Sequence, residues 1–174
     1  MAFQPTAYRI LSPEDGLADA HVLREAALAL NLDRPKHLKG WGQLMREVWD
    51  GPREHPYGKY PRDPEMLVSP AARICIENGE TGRGYIQTDH VVPRNVLCMM
   101  VRASRSDKEV ASILHKFTGV VTVTGSKHRR LGKGVLTPAA YKSDCWVRYW
   151  SIFPDLENEL QPLRRDDDEL WLAA

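Results

Sequence analysis

Cysteine is scarce. The 174-residue chain has 3 (Cys75, Cys98 and Cys145), odd in number and widely spaced, with no CxxC pair. Neither a disulfide framework nor a four-cysteine zinc site is therefore expected, and a reducing cytoplasm is the expected setting. No apolar run approaches the roughly 20 residues that a membrane helix needs, so no membrane association is expected. The segment Met1–Gly16 lacks a basic region followed by an apolar core, so no secretory signal is expected either. Internal repeats and low-complexity tracts are also missing. With 43% hydrophobic and 27% charged residues, the chain reads as an ordinary globular protein, one domain with an appendage in preference to two full domains.

A large net charge is lacking too, since 24 Lys and Arg face 23 Asp and Glu. The distribution is more informative than the sum. Lys127, Arg129, Arg130, Lys133, Lys142 and Arg148 face Asp144 alone between Val121 and Trp150. From Asp155 to Glu169 the acids Asp155, Glu157, Glu159, Asp166, Asp167, Asp168 and Glu169 are opposed only by Arg164 and Arg165. A basic segment thus precedes an acidic tail. The first is compatible with phosphate binding, and charge alone is equally compatible with two solvated surfaces.

Periodicity predicts a mainly helical α+β protein. A first helix opens at Ser12-Pro13, with Ser12 as cap, and carries Val22, Leu23, Ala26, Ala27 and Leu30 up to Asn31. A second is predicted from about Lys36 to Asp50, stopped by Gly51-Pro52, and an extended loop from Pro52 to Pro64. A third helix is expected from Asp63-Pro64 through Ile76, kinked or divided at Pro70. Tyr85–Val92 then reads as a strand, Asn95–Arg102 and Asp107–Phe117 as helices, and the β-branched run Val120–Val123 as a second strand. Thr124-Gly125-Ser126 starts a short helix, Lys127–Leu131. Thr137–Pro154 is expected to be loop plus helix, and the last twenty residues weakly amphipathic. Three portions follow: a helical part over 1–84, a core with a helical insertion over 85–135, and an aromatic segment with an acidic tail over 136–174.

Two islands carry the chemistry: Thr88-Asp89-His90-Val91-Val92-Pro93-Arg94, and Val120 to Leu131 with Lys127-His128-Arg129-Arg130 at its helical end. In order they spell strand, strand, helix. This resembles the ββα-metal, or HNH, nuclease motif, in which an Asp-His or His-His pair precedes two apolar residues and a proline. After a second strand, the motif's short helix carries a His followed by basic residues. The resemblance covers roughly Tyr85–Gly132. The end of the chain, through Asp144-Cys145-Trp146-Val147-Arg148-Tyr149, is also similar to small uncharacterised bacterial proteins with this motif, some from mobile elements.

The resemblance implies a small ββα-metal core within a mainly helical α+β fold, and a metal-dependent endonuclease acting on DNA ahead of RNA. It implies 5′-phosphate and 3′-hydroxyl products. His90 is the expected general base for the attacking water, since a neutral imidazole titrates near physiological pH. Asp89 and His128 are the expected ligands of one divalent ion, Mg²⁺ first, with Mn²⁺, Ni²⁺ or Zn²⁺ as alternatives. Arg94, Arg129, Arg130 and Lys133 are the expected phosphate contacts. His128 lies three residues before Leu131, the one strongly apolar residue of the short helix, so the two share its inward face. In a regular strand, however, Asp89 and His90 project to opposite faces.

The middle asparagine of the pattern has no counterpart, Asn95 lying too early. Thr122, Thr124 or a backbone carbonyl are the alternatives for its orienting role. Two other readings therefore stand beside the nuclease. One is a nucleic-acid-binding or regulatory module that keeps the scaffold without catalysis. The other is a defence- or toxin-type effector restrained by a protein partner; homodimerisation is a further expectation. His21, His37, His55 and His115 are expected to be structural, and Trp146, Tyr149 and Trp150 to be core or interface residues.

Overall fold

The computed structural model describes residues 15–82, 84–131 and 137–162, except 51–66. The cap expected at Ser12, the loop to Pro64, Lys133 and the acidic tail beyond Pro162 lie outside the described residues. The fold is α+β and mostly helical, in two layers: a helical cluster and a four-stranded sheet.

The helical layer follows the apolar periodicity. α1 (Asp15–Ala29) and α2 (Pro35–Met45) are joined to a π-helical turn, Arg46–Asp50, which carries Trp49 into the core. α4 (Arg94–Arg102) and α5 (Asp107–Phe117) form the insertion between the strands Ile86–His90 and Val120–Thr124 and pack against α1. Ser106 caps α5 by accepting a hydrogen bond from the Glu109 amide. The buried interface includes Leu23, Trp41, Met45, Leu97 and Leu114. Polar contacts fix the helices at their ends. Arg102 donates to the Ala27 and Leu30 carbonyls at the C-terminus of α1, where unpaired carbonyls and the helix dipole favour a cation. The Trp41 indole donates to the Leu23 carbonyl at 3.1 Å.

The sheet order is β2-β3-β1-β4, with β1 (Leu67–Val68), β2 (Ile86–His90), β3 (Val120–Thr124) and β4 (Gln161–Pro162). β2 pairs antiparallel with β3, β3 parallel with β1, and β1 antiparallel with β4. α3 (Pro70–Glu77) corrects the third predicted helix. Pro70 is neither a kink nor a break but the first residue of the helix, with Ser69 as its cap, and Leu67-Val68 before it is strand. A two-residue strand has no periodicity to betray it.

Strand alternation divides the sheet into two faces. On one, Ile86 and Val68 pack against Ala72 and Ile76 of α3. On the other, Val121, Val123 and Leu67 meet Leu131, Trp146, Tyr149 and Phe153. α6 (Gly125–Arg130), capped by Thr124, packs on β2 and β3. α7 (Pro138–Ser143) and α8 (Leu156–Glu159) complete the fold. No described helix is long and apolar enough to cross a membrane.

Candidate active site

Register determines what each strand residue can reach. Asp89 stands opposite Val121 and His90 opposite Val120, so the two side chains leave β2 on opposite faces. Asp89 is on the α6 face. His128, held inward by the buried Leu131, brings its Nε2 to 3.8 Å from Asp89 Oδ1. The structure therefore brings Asp89 and His128 together. His90 is not brought to them: its side chain lies with Thr88 and Val120 on the other face and is 5% exposed.

Two further residues, unpredicted from sequence, complete the cluster. Arg148 Nη2 forms an ion pair with Asp89 Oδ2 and also donates to the His90 carbonyl at 2.6 Å. The Tyr149 hydroxyl donates to the same Oδ2 at 3.1 Å. Arg148 and Tyr149 come from the turn that follows α7, far along the chain, so no local pattern announces the contact. The sequence reads Tyr149 as a core or interface residue, and the structure buries it fully against Trp146 and Phe153.

Burial alone would raise the Asp89 carboxyl. The facing His128, the Arg148 charge and the neighbouring His90 outweigh burial and hold it below its ordinary value of 3.8. Burial, reinforced by the Asp89 charge, pushes the Tyr149 hydroxyl well above 10, so it remains a protonated donor. Burial works against the Arg148 charge, but Tyr149 and Asp89 prevail and raise its pKa. The cluster is thus an ionised carboxylate with a fixed cation on one oxygen and an imidazole facing the other.

A folded-state pKa below the unfolded value gives stability that is present above the unfolded pKa and lost as pH falls through the folded one. Thermal melts of the wild type should therefore show a loss of Tm as the pH drops below about 4. Asp89→Asn should lower Tm at neutral pH and flatten that acid loss; an unchanged acid slope in the variant would contradict the assignment.

The remaining predicted residues divide clearly. Arg94 Nη1 donates to the Gly42 carbonyl at 2.9 Å and lies against Gly42, so it ties α4 to α2 within the fold. Arg129 and Arg130 are exposed on α6. Lys127 of the same helix is engaged with Glu159 at 3.4 Å and with the Phe153 ring. Of the two threonines considered for an orienting role, Thr122 is fully buried and hydrogen-bonded to Thr88 at 3.0 Å, on the face away from Asp89. Thr124 caps α6. His115 packs edge-on against Trp49.

Among the described residues no group of three or more His, Cys, Asp or Glu side chains comes together. Asp89 and His128 supply an oxygen and a nitrogen of the kind that hold a divalent ion. Two bonds of about 2.1 Å span roughly 3.0 Å at an octahedral and about 3.4 Å at a tetrahedral angle, so Oδ1 and Nε2, 3.8 Å apart, would close by a few tenths of an ångström to share one. Carboxylate oxygen with imidazole nitrogen is a donor set suited to several divalent ions. No family model, no curated protein and no solved structure matches the chain.

Proposed function

We propose that the protein is a metal-dependent endonuclease that hydrolyses phosphodiester bonds in DNA, with Asp89 and His128 as the metal ligands. The single observation that carries this reading is the approach of Asp89 Oδ1 to His128 Nε2 across an antiparallel strand pair and its following helix. A divalent ion bound there would supply charge stabilisation for the scissile phosphate and the leaving oxygen. Asp89 remains ionised at neutral pH and presents Oδ1, since Arg148 and Tyr149 engage Oδ2. His128 presents Nε2 from a helix anchored by Leu131 and Lys127. Exposed Arg129 and Arg130 lie one and two residues further along, within reach of neighbouring phosphates.

His90 is the proposed base on sequence grounds, and its burial on the opposite face makes its variant the decisive arm of the test. Purified protein is incubated with plasmid and single-stranded DNA, with Mg²⁺ or Mn²⁺ and with EDTA. Cleavage should require the ion. If His90→Ala abolishes cleavage with Tm unchanged, His90 acts at the phosphate; if Tm falls and cleavage persists, His90 is a core residue. DNA that is bound and never cut under any of these conditions would refute the nuclease.

A second reading is favoured by one specific feature, the Arg148 guanidinium on Asp89. A carboxylate paired in this way also suits a non-catalytic nucleic-acid-binding or regulatory module. Salt-dependent binding through Arg129 and Arg130 without cleavage is its signature.

A further inference from the structure

Arg148 is the feature of the cluster that neither the sequence motif nor the proposed chemistry requires. Its side chain is 11% exposed, and Nη2 makes both of its described hydrogen bonds, to Asp89 Oδ2 and to the His90 carbonyl. Arg148 Nε is buried without a hydrogen-bond partner among the described residues, and so is the hydroxyl of the fully buried Tyr141. The grip on Asp89 is therefore end-on, through one nitrogen, and not the two-pronged fork that makes arginine–carboxylate pairs most rigid. With one nitrogen on Asp89, a cation that outcompetes Arg148 there has a single contact to displace.

We infer that Arg148 is a tethered counter-cation for Asp89, in competition with an inorganic divalent cation for the same carboxylate. This rests on the assignment of Asp89 and His128 as metal ligands. In the metal-free protein Arg148 neutralises a carboxylate that would otherwise be buried and unpaired. A divalent ion arriving at Oδ1 and Nε2 meets that positive charge at close range and must weaken or displace the pair. The chain thus sets its own metal affinity, lower than the bare Asp89–His128 pair would give, so that the site loads only where divalent ions are abundant. A purely structural Arg148 predicts the opposite sign, because its removal would loosen Asp89 and weaken the site.

The test is calorimetric titration of Mn²⁺ into the full chain without nucleic acid, comparing wild type, Arg148→Met, Arg148→Lys and Asp89→Asn. Arg148→Met should bind Mn²⁺ at least about tenfold more tightly than wild type, because a like charge has been removed at contact distance. Arg148→Lys keeps a charge but loses the planar reach to both Asp89 and the His90 carbonyl, and should bind about threefold more tightly. Saturating Mn²⁺ should also raise Tm more in Arg148→Met than in wild type. The lysine variant decides the matter if the methionine variant fails to fold. If wild type binds one Mn²⁺, lost in Asp89→Asn, and the Arg148 variants bind equally or more weakly, the competition is refuted while the metal site stands. Absence of binding in every form, Arg148→Met included, refutes both.

Discussion

Asp89→Asn and His128→Ala should each lower the rate of Mg²⁺-dependent plasmid cleavage by about a thousandfold or more. Each removes one of the two ligands proposed among the described residues, and loss of the charge stabilisation assigned to the ion forfeits several kcal/mol of barrier lowering. The asparagine variant is close to isosteric but lacks the negative charge that would hold a cation. The alanine variant leaves Leu131 to anchor α6, so the scaffold persists. Initial rates at a temperature where far-UV circular dichroism shows both variants folded make the comparison clean. Activity within tenfold of wild type in either variant would remove that residue from the metal.

The largest effect on stability is expected at Arg148. Arg148→Met should cost about 3 kcal/mol in urea unfolding, near the lower edge for breaking a buried ion pair, since the Arg148 and Asp89 side chains retain 11% and 19% exposure. The loss comes mainly from the partner left behind: Asp89 would sit against Tyr149 and the sheet without its cation. The double variant Asp89→Leu/Arg148→Met should accordingly be more stable than Arg148→Met alone. Additive losses in the double-mutant cycle would mean that the pair contributes no coupling energy.

Much of the helical layer is legible from the sequence because its signals are local. The sequence offers Ser106 or Asp107 as cap of α5, Val110, Ile113, Leu114 and Phe117 as its core and Gly119 as its stop; the helix has the predicted bounds, with Ser106 the cap. Thr124 announces α6 in the same way. Pro70 is misread because a proline inside an apolar run fits both a kink and a first helical position; the two-residue strand before it is too short to decide. The pairing of Asp89 with His128 follows from strand, strand, helix order plus the position of Leu131. Alternation along β2 already separates Asp89 from His90, as the register confirms. Arg148 and Tyr149 could not be read off, since a side-chain pair across the fold has no period. Nor does the sequence reveal that Arg94 and Lys127, counted among the basic residues, are engaged inside the protein.

Anomalous diffraction from a crystal soaked in Mn²⁺ would probe the Asp89–His128 pair most directly. The density peak should lie within about 2.3 Å of both Asp89 Oδ1 and His128 Nε2, with Arg148 withdrawn from Oδ2. A peak located only elsewhere, with the guanidinium still on the carboxylate at saturating Mn²⁺, would contradict a metal site here.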